Sequence, residues 1–112
     1  MIYKLLPATE WADALAAGTF TGTALDHESG FIHLSGPDQV VQTARRFFTG
    51  AIGLTLLSVE DDRLGEALRW ESSQGGQLFP HLYGPLPVTA VVAARPLPAD
   101  VPVADAVAAL LA

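Results

Sequence analysis

The sequence predicts an α+β fold: a single domain built on a curved, mostly antiparallel sheet with two main helices. Three observations predict it. A chain of 112 residues allows one domain, and folding at this size hides roughly 65% of the surface the unfolded chain would expose, enough for a core without crosslinks. Half of the residues are hydrophobic, but 18 of those 56 are alanine, so the core is adequate rather than large. Stretches of strand and helix character succeed one another as strand, helix, loop, strand, helix, then three strands and a short closing helix, an order that suits an antiparallel sheet with helices packed on it.

Each element has its own signal. Residues 2–6 are apolar and cut off by Pro7, which predicts a short strand. Thr9 is the expected N-cap of the first helix, Glu10 and Asp13 set negative charge near its positive end, and Trp11, Ala14 and Leu15 repeat on one face until Gly18 ends it. Residues 19–30 are rich in Thr and Gly, which predicts a connecting loop with room for a short extended piece and with His27 exposed between acidic neighbours. Residues 31–35 read as a strand that places Phe31, His33 and Ser35 on one face and Ile32 and Leu34 on the other. Ser35 and Asp38 are spaced as a capping box with Pro37 in the first turn, predicting a helix that runs to about Phe48, with Val40, Val41, Ala44, Phe47 and Phe48 inward and Gln42, Arg45 and Arg46 outward.

Residues 53–60 are almost continuously apolar, as in a strand buried on both faces, and Glu60-Asp61-Asp62 makes the acidic turn after it. Residues 67–71 predict a second strand with Leu68 and Trp70 alternating against Arg69 and Glu71. Residues 72–87, rich in Gly and Pro, predict a long irregular segment of the kind that tends to be functional. Residues 88–94 predict the last strand and 103–111 the closing helix.

Composition removes several function classes. The absence of cysteine excludes disulfides, a thiolate zinc site and a cysteine nucleophile. Twelve acidic against six basic side chains give a formal charge of −6, which argues against nucleic acid as a partner, since that binding needs a cationic stripe to displace counterions. No stretch approaches the roughly 20 apolar residues of a membrane span. Pro7 and Glu10 interrupt the N-terminal apolar run before signal-peptide length, so a cytoplasmic address is expected and no membrane partner.

The positions that break local pattern are the candidates for chemistry. His33 and Ser35 share a face of a half-buried strand, and His81 and Tyr83 stand on a stiff scaffold of prolines and aromatics, Phe79-Pro80-His81-Leu82-Tyr83-Gly84-Pro85. With Glu71 they form a set able to move protons or hold a polar ligand if the fold brings them together. Alternatively, Glu71 is a surface carboxylate and Phe79 and Leu82 plug one end of the core. The spacing of His33, Glu71 and His81 matches no local metal signature, so no metal is expected there.

Tyr3, Trp11, Gly30-Phe31-Ile32-His33 with Ser35, Gln39, Arg46-Phe47-Phe48, Trp70-Glu71 and Phe79-Pro80-His81-Leu82-Tyr83-Gly84 resemble, in type, order and spacing over residues 1–96, the small bacterial proteins grouped as domain of unknown function 952. The resemblance implies a link to the ADP-ribosyltransferase fold, a split sheet that binds NAD in a cleft between two curved halves. Ile32-His33-Leu34-Ser35 is similar to a strand of the RNA 2′-phosphotransferase branch. By that resemblance His33 lies against the nicotinamide and its ribose, Ser35 supports the cleft, and Glu71 or His81 supplies a third position. Lys4, the chain's one lysine, stands where relatives carry a first-strand histidine, and a charged flexible amine is not an imidazole that both donates and accepts.

The resulting expectation is an ADP-ribosyltransferase-like domain with His33, Glu71 and His81 as catalytic candidates and Lys4, Ser35, Arg46 and Tyr83 as binding candidates. Its ligand is nucleotide-type, with NAD as the substrate candidate, cleaved or transferred at the nicotinamide–ribose bond, and its acceptor is unspecified. The alternative is a non-catalytic module that captures a small ligand in the same cleft.

Overall fold

Buried residues alternate across the central strands in a way that builds two cores, one on each face of a three-stranded sheet. The structure, a computed structural model, describes residues 1–112, with Gln74 described by its backbone alone. The strands are β1 (Ile2–Pro7), β2 (Thr19–Phe20), β3 (Ile32–His33), β4 (Leu54–Val59), β5 (Leu68–Ser72), β6 (Leu78–Leu82), β7 (Leu86–Pro87) and β8 (Val91–Pro96). The α-helices are α1 (Ala8–Ala17), α2 (Ala24–Ser29), α3 (Val40–Phe47) and α4 (Val103–Leu111). They form an antiparallel sheet β1-β4-β8, a second β3-β6-β5 and a two-stranded β2-β7.

Leu57 and Val59 of β4 join Ile2 and Leu6 of β1 in one core, which also takes Ile32 and Leu82 from the second sheet. Leu54 and Leu56 of β4, with Leu5 of β1, face the other core, under Val40 and Ala44 of α3 and Val103 and Val107 of α4. The β-sheet β1-β4-β8 is thus a middle layer, as the period-2 alternation of its side chains requires.

Several elements differ from the sequence reading for definable reasons. Helix α1 starts at Ala8 with Pro7 as N-cap rather than at a Thr9 cap. Pro7 is the last residue of β1, and the Ala8 N–H is accepted by the Gly53 carbonyl at 2.8 Å, so no side-chain cap is needed. Ala14 is buried, whereas Leu15 is exposed. In residues 19–30 the short extended piece is β2, but the rest is not plain loop: it contains α2, because Thr23 and Asp26 form a capping box on a helix too short to show periodicity. Ser35 and Asp38 do not cap α3. Gln39 is its N-cap residue, Gln39 Oε1 accepts the Gly36 N–H at 2.9 Å, and the Ser35 hydroxyl bonds Thr43 at 2.9 Å. Residues 88–90 form a 3-10 turn, so the last strand starts at Val91.

The segment expected to be irregular contains the central strand of the second sheet, β6, with Pro80 in its middle. Proline is normally kept out of central strands because it donates no N–H. Here Ile32 pairs with Leu82 and His33 with His81, so the next pair is Leu34 with Pro80, and it makes only the bond a proline can accept, Leu34 N–H to Pro80 O at 3.1 Å. The ladder stops there. One residue on, Ser35 exchanges both backbone bonds with Tyr3 of β1, at 2.8 and 2.9 Å. Residues 34–35 therefore leave one sheet and join the other, and the two sheets part around that crossing.

Candidate functional site

The register just described decides which backbone groups of His33 need partners. Leu34 bonds across to Pro80, so the His33–His81 pair is of the non-hydrogen-bonded kind, with the His33 N–H and C=O directed away from β6. Among the described residues no strand pairs with His33 on that side, β3 being the edge of its sheet. Instead Asp26 Oδ1 accepts the His33 N–H at 3.1 Å and Lys4 Nζ donates to the His33 carbonyl at 2.8 Å. An ion pair, Lys4 Nζ to Asp26 Oδ2 at 3.1 Å, replaces the missing strand.

Asp26 also holds the His33 ring, since its Oδ1 lies 2.7 Å from Nδ1, and its Oδ2 accepts the Thr23 N–H at 2.9 Å. Burial raises the Asp26 carboxyl, but the His33 hydrogen bond, the Lys4 charge and the backbone N–H groups of Thr23 and His33 together hold it far below its ordinary value. For Lys4 burial wins and lowers the ammonium, against the opposing pull of Asp26 and the more distant Glu10. Gly22, at φ +116°, packs its backbone against Asp26, where an added Cβ would stand 2.9 Å from Asp26 Cβ.

The second imidazole is built differently. His81 Nδ1 lies 2.8 Å from Glu71 Oε1, which also accepts the Tyr83 hydroxyl at 2.6 Å. Glu71 and Tyr83 share the His81 face of the sheet because Arg69 pairs with His81 and Glu71 with Phe79. The Tyr83 and His81 hydrogen bonds keep the Glu71 carboxyl below its usual range, and the Glu71 carboxylate raises the Tyr83 phenol. Phe31 stacks on His81 with ring centroids 4.0 Å apart and leans on His33 at 4.6 Å; the two imidazoles are edge-on at 5.9 Å.

Both imidazoles line a cleft of about 680 Å³ between β1, α3 and the second sheet, within the size range of small-molecule sites. Lys4, Asp26, Ser35 and Arg46 line it too, with aromatic walls from Tyr3, Phe47, Phe48 and Phe79. Phe47, expected in the core, is exposed at this wall. Of the candidate residues, Lys4, His33, Ser35, Arg46 and His81 come together on the cleft, while Glu71 and Tyr83 stand behind His81. Asp26 was not singled out by sequence; its signal was the Thr23-x-x-Asp26 spacing. His27 is exposed. Among the described residues no group of three or more His, Cys, Asp and Glu is placed to hold a metal ion, and no helix is long and apolar enough to cross a membrane.

A small α+β domain with two carboxylate-held histidines in one cleft is the class of protein these features define. The chain belongs to the family described as Protein of unknown function (DUF952), which matches residues 5–94. It is similar to protein CC0527 from Caulobacter crescentus: the X-ray structure is 47% identical, covers 96% of this chain and 97% of that one, and has a TM-score of 0.87. The solution NMR structure of CC0527 is 48% identical over 91% of this chain and 90% of that one, with a TM-score of 0.79. No curated protein matches the chain.

The Asp26 geometry makes stability depend on pH. A carboxyl whose folded-state pKa lies below its unfolded value of 3.8 contributes stability that is complete above that pH and is lost as pH falls below it. A series of thermal melts is expected to show Tm falling steeply below about pH 4, with a shallower slope in Asp26→Asn; equal slopes in the two proteins would contradict this role.

Proposed function

We propose that the cleft binds a nucleotide-type ligand, with NAD as the first candidate, and that His33 and His81 contact its ribose. The observation that carries the reading is the pair of imidazoles, each fixed at Nδ1 by a carboxylate and both lining one cleft with aromatic walls and a guanidinium. Flat apolar walls suit a base, and Arg46, which forms no ion pair among the described residues, suits a phosphate. The likeness of Ile32-His33-Leu34-Ser35 to an ADP-ribosyltransferase-type strand supports the same ligand class. In a catalytic version, cleavage at the nicotinamide–ribose bond has an oxocarbenium-like transition state that a nearby carboxylate steadies.

A non-catalytic version is favoured by one feature. Glu71 is behind His81 rather than on the cleft, and the buried Asp26 on the cleft wall is already engaged by Lys4, His33 and Thr23. Titration of NAD while following Tm separates binding from no binding: at about a hundred times Kd the gain is about 2.7 kcal/mol, a Tm rise on the order of 10 °C. His33→Ala and His81→Ala are expected to remove that rise. No rise in the parent protein at millimolar NAD sinks the NAD candidate, and release of nicotinamide above the buffer rate decides for catalysis over capture.

A further inference from the structure

The two carboxylates do more than orient the rings. Asp26 and Glu71, ionised, are acceptors only, so each must receive the proton of the Nδ1 it touches, at 2.7 and 2.8 Å. A neutral imidazole that donates from Nδ1 carries a lone pair at Nε2, so its tautomer is set by the partner. No hydrogen bond among the described residues takes either Nε2. His81 is buried, yet no buried side-chain nitrogen lacks a partner among the described residues, so its Nε2 is open to solvent, and His33 and His81 both line the cleft. The cleft therefore presents two acceptors from directly paired residues, on rings 5.9 Å apart.

We propose that this pair recognises a cis-diol, the 2′- and 3′-hydroxyls of one unmodified ribose, each O–H donating to one Nε2. The inference rests on the nucleotide reading and sharpens it to nucleotides whose ribose is free at both positions. Two hydroxyls on adjacent carbons and one side of a furanose are the donor pair that matches two neighbouring acceptors. A ribose phosphorylated at either position brings acceptor oxygens against lone pairs and is rejected. A deoxyribose leaves one Nε2 unpaired, and sites built to bond a hydroxyl discriminate strongly against its absence. Phe31, stacked on one face of His81 and leaning on His33, fixes both rings so that the spacing is preset.

Two measurements on the intact protein test this. Nitrogen-15 NMR of the imidazoles at mildly alkaline pH is expected to show Nδ1 protonated and Nε2 bare in both His33 and His81; a proton on either Nε2 overturns the proposal. Calorimetry then compares AMP and nicotinamide mononucleotide with their 2′-deoxy, 3′-deoxy and 2′-phosphorylated counterparts. Loss of either hydroxyl is expected to weaken binding by about tenfold or more, and equal binding of the deoxy forms, or tighter binding of the 2′-phosphate, overturns the diol. Methyl β-ribofuranoside beside its 2-deoxy form separates the two readings. If no nucleotide binds but the riboside alone shifts both Nε2 resonances, the diol stands and the nucleotide reading falls. If neither nucleotide nor riboside shifts them, the diol falls as well.

Discussion

Asp26→Ala is expected to lower stability by about 3–5 kcal/mol, the cost of leaving a buried charge without its partner. Whole domains of this size are stable by only about 5–15 kcal/mol, so the variant loses a large share of what it has. Four groups are stranded together: the Lys4 ammonium, itself 7% exposed, the His33 ring Nδ1, the His33 N–H and the Thr23 N–H. Urea unfolding of the parent, of Asp26→Ala and of the Lys4→Met, Asp26→Leu double variant separates the contributions. The double variant removes the buried charge pair and is expected to recover part of the loss, because apolar replacements of buried ion pairs are often neutral or better. Recovery stays partial, since the His33 N–H and C=O, which the pair served in place of a strand, still lack partners. A loss under about 1 kcal/mol in Asp26→Ala contradicts the buried hub.

That hub shows where sequence legibility ends. His33, Ser35 and His81 were legible because each breaks an apolar pattern, and Phe31-His33-Ser35 shared a face by simple alternation. Their meeting was not, because it depends on the register of β3 on β6, and β6 was hidden by its own prolines. The rule against proline in a central strand fails at Pro80 because its N faces the place where residues 34–35 leave for β1. Asp26 was hidden for another reason: its partners are 22 residues back and 7 ahead, and a six-residue helix has no period to read. Lys4 sits in a strand whose parity with Ile2 and Leu6 already placed it on a core face. A lysine at such a position needs a buried carboxylate, and that demand was present in the sequence even though its answer was not. Periodicity counted Leu15 and Phe47 as core, yet it reports only that a helix has an apolar face. What covers that face is a tertiary fact, and at Phe47 the answer is the open wall of the cleft.

The strand that was plainest in the sequence carries the other large effect. Leu57→Ala in β4 is expected to cost about 2–5 kcal/mol, the range for truncating a large buried side chain and leaving a cavity. Leu57 is 0% exposed and packs in the core that the two sheets share, pairing in register with Lys4 of β1 and Ala94 of β8. Its neighbour Leu56, 1% exposed, faces the α3 and α4 side, so one strand supports both walls from which the cleft is made. Collapse around a missing leucine is limited because the strands on either side are fixed by their backbone ladders, which keeps the cost toward the upper part of the range. Ile52→Ala, at a side chain 73% exposed, is the matched control and is expected to change stability by less than about 0.5 kcal/mol. If Leu57→Ala unfolds at the same urea concentration as Ile52→Ala, the two-core account of β4 is wrong. If it is destabilised while the folded fraction keeps the His33 and His81 nitrogen-15 pattern, then β4 supplies the rigidity of the cleft while the carboxylates alone set the state of its imidazoles.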